Sequence, residues 1–229
     1  PEDFYAKVSE LHEKEEQKLK TAKEEKLSLE GIQETEALYY DSYLKNKNTA
    51  KVLKIIGNNI ILDKTVAYPT SGGQIHDIGN INGDVIVEFF KQGNIIVHAL
   101  KDKPKFNVND NVIVAIDLDR RKQLAQHHTA THIVGAAARK VLGKHINQAG
   151  AKKTKEKATL DITHYQSLSN EEINKIEKEA NNIVNSKVEI IKKFYPRTEA
   201  EKKFGMNIYQ GGAVPGKKLR IVQIKGIDT

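Results

Sequence analysis

Residues 51–62 read Lys51-Val52-Leu53-Lys54-Ile55-Ile56-Gly57-Asn58-Asn59-Ile60-Ile61-Leu62. Two apolar runs rich in β-branched residues stand on either side of Gly57-Asn58, a pair that favours a tight reversal of the chain. The pattern predicts a β-hairpin with strands over 51–56 and 59–62. It also indicates that the surrounding region is built from short strands.

The same pattern continues around this hairpin, from Ala37 to about Leu118. Turn signals at Asn82-Gly83 and Gln92-Gly93-Asn94 separate further apolar runs. These runs predict three more strands, Asp84–Phe90, Ile95–Leu100 and Val112–Ile116. Because several short strands at near-regular spacing favour a small barrel, we expect a β-barrel domain over residues 38–118.

The sequence after residue 118 has a different pattern. Asp117 or Asp119 can cap a helix that runs through Arg121 to Leu142, and Ser169 with Glu172 forms a capping box ahead of a second helix. The other elements expected here are strands at Thr159–Thr163, Val188–Ile191 and Leu219–Ile224 and a short helix near Thr198–Phe204. We expect an α/β domain over 119–229 with a mainly antiparallel sheet and two main helices. The fold class of the chain is then α+β.

Composition limits the class of protein. The chain has 229 residues, a formal net charge of +7 and no cysteine. The absence of cysteine excludes disulfides, thiol nucleophiles and thiolate metal ligands within these residues. No apolar run approaches the ~18 to 20 residues that cross a bilayer, and no signal segment opens the chain. We expect a cytoplasmic protein, and Pro1 in place of Met indicates a piece of a longer chain.

Charge is distributed unevenly along the chain. Residues 1–36 contain eleven Asp and Glu against six Lys, so the excess of basic residues lies in the remainder. The acidic stretch has only a sparse apolar stripe, which predicts a solvated helical linker over 1–37. The basic remainder is where a polyanion would bind. Lysines that only keep the protein in solution explain the charge equally well.

The most informative local feature is His127-His128-Thr129-Ala130-Thr131-His132 on the first predicted helix. His128 and His132 are four residues apart, so one helical face can present both imidazoles to a zinc ion. A zincin protease has Glu after its first histidine, where this chain has Thr129. Peptidase chemistry is therefore disfavoured. Because a tetrahedral zinc needs three or four protein ligands, a surface pair without metal is the alternative.

A second feature is Tyr68-Pro69-Thr70-Ser71-Gly72-Gly73-Gln74, inside the predicted barrel. Paired glycines let the backbone approach a ligand closely, and the neighbouring neutral side chains can form hydrogen bonds with it. An ordinary tight turn is the alternative. No Gly-Lys-Ser/Thr follows, which disfavours binding of a nucleoside triphosphate.

A third feature is the turn predicted after the first helix, over residues 142–150. Gln148 has a neutral amide that can orient a carbonyl, an amine or a water. Capping of a loop is its structural alternative. His145 can act as a partner of the helix dipole.

In this order, the Gly-Gly-Gln segment, the His-x-x-x-His helix and Gln148-Ala149-Gly150 resemble the editing domains of archaeal-type alanyl-tRNA synthetases and their free-standing relatives. The resemblance covers nearly the whole chain, because residues 1–37 look like the linker that precedes editing in archaeal forms. The closing stretch from Phe204 to Val222 also looks archaeal.

The resemblance implies hydrolysis of the ester of Ser-tRNA(Ala) or Gly-tRNA(Ala) by part of an ATP-dependent alanine–tRNA ligase. It implies zinc on His128 and His132, with two further ligands in a Cys-x-x-x-His beyond residue 229, so that this chain alone could be inactive. The ion would hold either the substrate's amino group or a water. Gln148 would position the water or the substrate. The implied substrate-binding residues are Thr70, Gly72, Gly73 and Gln74.

A separate hydrolytic site has a physical reason. A small apolar pocket discriminates by only ~1 to 3 kcal/mol, so a pocket for alanine cannot strongly exclude glycine or serine. The ester is labile and needs a positioned water and electrostatic help more than a covalent nucleophile. The expected partner is the acceptor end of tRNA(Ala). Its phosphates would meet Arg120, Arg121, Lys144, Lys152 and Lys153, unless these residues form only a solvated face.

Three other functions remain open at this point. A free-standing editing protein would perform the same chemistry in trans. A non-catalytic tRNA-binding module would use the barrel and basic residues alone, with structural histidines. The editing domain of threonyl-tRNA synthetases shares the two-histidine helix, but the Gly-Gly-Gln barrel argues against it.

Overall fold

The structure, a computed structural model, describes residues 27–205, 208–209 and 217–228. Most of the expected linker lies outside these residues. Its described end, 27–37, contains no helix and finishes in a two-residue strand, β1 (Glu36–Ala37). The chain is α+β, as expected.

The first half of the described chain is made mainly of strands, with one 3-10 helix over Leu38–Tyr40. After β1 come β2 (Lys47–Ile56), β3 (Asn59–Leu62), β4 (Lys64–Thr65), β5 (Gly79–Ile81), β6 (Asp84–Gln92), β7 (Ile95–Leu100) and β8 (Asn111–Ile116). Six of them pair in the closed order β2-β3-β7-β6-β5-β8, every pair antiparallel. The strand pairs thus form a complete ring, the barrel expected for this region.

Strand β5 completes the ring and was not predicted. Gly79 opens this three-residue strand, and a Cβ on it would lie 2.2 Å from the carbonyl oxygen of Ala115 in β8. Only glycine allows the two backbones to approach this closely. A strand that begins with glycine and holds one buried apolar side chain, Ile81, has too weak a pattern to be recognised from sequence.

The interior of the barrel is filled by every second side chain along its strands. In β8, Val112, Val114 and Ile116 are buried while Ile113 points outward, the period of two expected for a strand with one face on a core. The largest fully buried side chain of the core is Phe89.

Helices and shorter sheets make up the second half. The elements are α1 (Leu118–Leu142), β9 (Gln148–Lys153), β10 (Ala158–Ile162), α2 (Asn170–Asn185), β11 (Ile190–Pro196), α3 (Arg197–Phe204) and β12 (Lys218–Ile224). In place of a single sheet, the described strands form two separate pairs, β9 with β10 and an antiparallel β11 with β12.

The ends of the helices follow the predicted capping chemistry. Asp117, rather than Asp119, caps α1, since its Oδ1 accepts from the backbone N–H groups of Asp119 and Arg120, both at 3.0 Å. Ser169 and Glu172 form the expected capping box at α2. Gly143 follows α1 with a φ of +117°.

The chain divides into two compact units, and the division differs from the boundary predicted at residue 118. The barrel unit takes in described residues 27–128 and also 152–158, whereas the second unit takes in 129–151 and the described residues from 159 onward. Helix α1 and the β9–β10 pair are each shared between the units. The barrel has its own core, whereas the described residues of the second unit form two apolar clusters. One is centred on Ile133, Ala137, Ile146 and Ile176, and the other consists of Tyr195, Ala200, Leu219 and Ile221.

Candidate functional site

The Gly-Gly-Gln segment of the barrel unit is a two-residue reversal. Ser71 N donates to Gln74 O (3.0 Å) and Gln74 N donates to Ser71 O (2.9 Å). Gly72 and Gly73 have φ of +57° and +73°. A turn with positive φ at both central residues favours glycine at both. The glycine pair therefore has a backbone reason of its own, and the side chain that the turn presents is Gln74.

Residues 152–158 of the same unit hold this turn in place. Lys153 N donates to Gly73 O (2.7 Å), and Ile75 N donates to Lys153 O (3.2 Å). The Lys153 ammonium donates to Gly72 O at 3.0 Å. With 1% of its surface exposed, Lys153 is almost fully buried, and this burial lowers the pKa of its ammonium.

The turn brings Gln74 to His128, the first residue of the predicted metal pair. Gln74 Oε1 lies 3.0 Å from His128 Nδ1, and a Cβ on Gly72 would lie 3.3 Å from His128 Cε1. Because an amide oxygen only accepts, Nδ1 carries the proton and the lone pair of the neutral ring lies on Nε2. The two motifs are thus in contact, with His128 in the tautomer that a metal ligand needs.

A buried ion pair connects the segment after this turn to helix α1. The carboxylate of Asp77 accepts from Tyr68 N at 2.7 Å and from the Arg121 guanidinium, which also donates to Val66 O. Asp77 and Arg121 are 0% and 2% exposed. The pair fixes the first turn of the helix that carries His128 against the barrel.

The second unit surrounds His132 in a similar manner. His132 Nδ1 lies 3.3 Å from Asp228 Oδ2, and Arg139 Nη1 donates to Asp228 Oδ1 at 3.2 Å. The Asp228 side chain is only 6% exposed. It is held after β12 by reciprocal backbone hydrogen bonds with Ile224, each 2.9 to 3.0 Å long. Sequence reasoning missed Asp228, which no motif marks.

The remaining predicted polar residues occupy different settings. Gln148 is half-buried at the first position of β9, not in a turn as its position after the helix indicated. Thr70 is exposed, and its hydroxyl accepts from His76 N at 3.1 Å. His127 contacts Thr154 O through Nδ1 (2.8 Å) and Gln123 through Nε2 (2.8 Å), so both of its ring nitrogens are engaged.

The structure corrects two of the five predicted phosphate contacts. Arg121 and Lys153 are buried and bonded to the fold, so neither lies on a face that could meet a phosphate. Lys144 and Lys152 are exposed. Arg120 is half-buried, with its guanidinium donating to His76 O. A count of basic residues in the sequence does not distinguish buried side chains from exposed ones.

Residues 27–205, 208–209 and 217–228 do not bring together a full set of metal ligands. No cluster of three or more His, Cys, Asp or Glu side chains there could hold a metal ion. His128 and His132 nevertheless each direct Nδ1 to an oxygen, the outer contact that zinc-bound histidines make. In the part of the chain described, no helix is long and apolar enough to span a membrane.

Comparison with known proteins gives consistent matches. The sequence profile of the family "tRNA synthetases class II (A)" matches residues 2–120. Alanine--tRNA ligases of Methanococcus aeolicus and Methanocella arvoryzae are each 45% identical to the chain, over 238 and 230 residues. That of Staphylothermus marinus is 44% identical over 239 residues. Each match covers all of this chain and 26% of the relative.

Proposed function

Since the chain belongs to the family of class II tRNA synthetases (A), we propose that it is the editing portion of an alanyl-tRNA synthetase, which hydrolyses the ester of Ser-tRNA(Ala) or Gly-tRNA(Ala). The relatives that align with all of it are alanine--tRNA ligases. The observation that carries the proposal is the 3.0 Å contact between Gln74 and His128. It joins two motifs that are 54 residues apart in sequence and that the resemblance assigns to one site.

Zinc is the cofactor of this proposal, held by Nε2 of His128 and of His132. Support comes from the contacts of their Nδ1 atoms with Gln74 and Asp228, which favour the lone pair on Nε2. When bound, the ion would act as a Lewis acid that accepts the lone pair of the substrate's neutral amino group or activates a water. Two further ligands, a Cys and a His beyond residue 229, are expected to complete the site.

The protein's own side chains have distinct roles in the proposed reaction. Gln74 orients the imidazole of His128, a change from the direct substrate contact expected from sequence, because its side chain is buried and engaged. Gly72 keeps the space beside that ring open. Gln148 positions the water or the ester carbonyl through its amide. The hydroxyl of Thr70 can still donate a hydrogen bond to the hydroxyl of a seryl group.

The partner of the proposed enzyme is the acceptor end of tRNA(Ala). Lys144 and Lys152 are the exposed cations that would meet its phosphates, and Arg120 is partly available to do so. Such contacts position the RNA without reading its sequence. Their loss is expected to weaken binding and reduce its salt dependence.

The test is deacylation of purified Ser-tRNA(Ala), Gly-tRNA(Ala) and Ala-tRNA(Ala) by a zinc-loaded synthetase that contains this chain. We expect faster loss of serine or glycine than of alanine, and a decrease of about 100-fold or more in His128→Ala, as for other groups that act directly in a hydrolytic site. His127→Gln is the matched control, because His127 is the adjacent histidine with both ring nitrogens engaged. Charging with alanine should persist in both variants.

Hydrolysis at the uncatalysed rate, or hydrolysis insensitive to His128→Ala, would refute the editing proposal. If tRNA(Ala) binding persisted in that case, the chain would instead be a non-catalytic tRNA-binding module. Equal deacylation of Ser-tRNA(Thr) and Ser-tRNA(Ala) would instead favour the threonyl class.

A further inference from the structure

Three aromatic rings of the second unit form a cluster that the proposed reaction does not use. The imidazoles of His145 and His164 are stacked, with centroids 5.1 Å apart and planes 20° apart. Tyr165 lies against both, at 4.3 Å from His164 and 5.5 Å from His145. Its side chain is 79% exposed, the largest exposure among the large hydrophobic residues described. The Tyr165 ring is tilted by 40° from the His164 plane and by 34° from the His145 plane, so the cluster presents one exposed aromatic face supported by two stacked rings.

Hydrogen bonds hold this cluster in a fixed position. His145 Nε2 lies 2.9 Å from His164 Nδ1, and Thr163 Oγ1 donates to His145 O at 2.8 Å. Asn147 and Thr163 exchange two more bonds, each 2.9 Å long. His164 Nε2 is buried with no hydrogen-bond partner among the described residues. A buried polar atom without a hydrogen-bond partner is uncommon in folded proteins and calls for an explanation.

The residues next to the cluster have the chemistry that a nucleic acid requires of a binding surface. Lys144 directly precedes His145 in sequence and is exposed, so the residue next to the cluster carries a cation that solvent can reach. Gln148 follows His145 by three residues, a separation of at most ~11 Å along an extended chain. Tyr and His rings are the side chains on which proteins stack unpaired bases, and a nearby cation meets the phosphate.

We propose that His145, His164 and Tyr165 form a stacking surface for an unpaired base of the single-stranded 3′ end of the tRNA. This inference rests on the proposed function, because it places the base next to the ribose whose ester Gln148 would face. Tyr165 provides the contact face, and the two histidines fix its orientation. The surface binds the nucleotide and takes no part in proton transfer.

The test uses the 229-residue chain and an acceptor minihelix that carries 2-aminopurine in its single-stranded 3′ end, whose fluorescence reports stacking. We expect saturable quenching with the unaltered chain. Tyr165→Ala should weaken binding about 5- to 100-fold, the range for stacking one base. The affinity of Tyr165→Phe should stay within about twofold of that of the unaltered chain, because the ring remains. Tyr165→Leu should bind as weakly as Tyr165→Ala, although leucine keeps most of the apolar area. Tyr43→Ala, at an exposed tyrosine of the barrel unit, is the outside control.

Three results would overturn the stacking surface. They are unchanged quenching in Tyr165→Ala, full rescue by Tyr165→Leu, and loss of self-association in Tyr165→Ala without any change in RNA binding. A minihelix without the single-stranded end should bind the unaltered chain and Tyr165→Ala equally. Failure of the editing proposal gives a different result, since a zinc-loaded synthetase would hydrolyse no ester while the Tyr165 variants still lost quenching.

Discussion

His98 makes the stability of the barrel depend on pH. Its side chain is fully buried, with Nδ1 at 3.2 Å from Ile60 O and Nε2 at 2.9 Å from Thr65 Oγ1. Because Ile60 O can only accept, the neutral ring donates from Nδ1 and accepts at Nε2. Burial disfavours the charged form and lowers the pKa of His98 from 6.5 to about 4. Protonation would place an uncompensated charge in the core.

The sign and size of the effect follow from this pKa. Below pH 6.5 the unfolded chain takes up a proton that the folded barrel refuses, so the stabilisation present above pH 6.5 is lost as the pH falls toward 4. The full loss is about 3 kcal/mol at 1.36 kcal/mol per pKa unit. Between pH 7 and pH 5, before most carboxylates titrate, the loss is about 2 kcal/mol.

Urea unfolding at pH 7 and pH 5, followed by far-UV circular dichroism, measures this loss. His98→Gln should be less stable at pH 7, but its stability should fall by about 2 kcal/mol less than that of the unaltered chain. Thr65→Val is the matched control. It removes a hydrogen-bond partner of His98, costs about 1 to 3 kcal/mol at both pH values and keeps the buried imidazole. An identical pH dependence in the unaltered chain and His98→Gln would refute the reasoning.

Three further substitutions test the packing described above, each by urea or thermal unfolding. Asp77→Asn removes one charge of the buried pair and should lower the free energy of unfolding by about 3 to 5 kcal/mol. Asp119→Asn, at an exposed carboxylate, should lower it by less than about 0.5 kcal/mol. Similar losses in the two variants would contradict the anchoring role of the pair. Gly79→Ala should destabilise by about 1 to 3 kcal/mol or more through its clash with β8. By contrast, Gly135→Ala in α1, where a Cβ would lie at an ordinary contact distance of 3.6 Å from Leu160 Cδ2, should stabilise by about 0.5 to 1 kcal/mol. Ser169→Ala should cost about 1 kcal/mol through loss of the capping box, and an unchanged melting temperature would argue against that contribution.

Local patterns predicted most of the regular elements. The two strands around Gly57-Asn58 and the capping box at Ser169 were confirmed because hydrophobic alternation and cap chemistry act over a few residues. Strand β5 was missed because it exists through close backbone approach at Gly79, which leaves no side-chain pattern. Strand β9 was interpreted as a turn because Gln148-Ala149-Gly150 contains polar and small residues with weak strand propensity.

The candidate site was only partly accessible to sequence reasoning. Motifs identified His128, His132 and Gln74, but spacing alone could not reveal that Gln74 contacts the histidine. Asp228 gave no signal because a single carboxylate after a strand is common. Arg121 and Lys153 were interpreted as surface cations, since charge usually indicates exposure. Buried cations with specific partners are exceptions that only the fold reveals.

The barrel unit includes seven residues, 152–158, that come after the whole of helix α1 in the sequence. Its Gly-Gly turn receives its donors from Lys153, so the turn cannot be completed until that late segment has been synthesised. Recombination between relatives at residue 118 would separate Gly72 and Gly73 from residues 152–158, which form hydrogen bonds with them. The barrel unit is therefore encoded by two separate parts of the gene. A chimaera that preserves the Gly-Gly turn must take residues 152–158 from the same parent as the barrel.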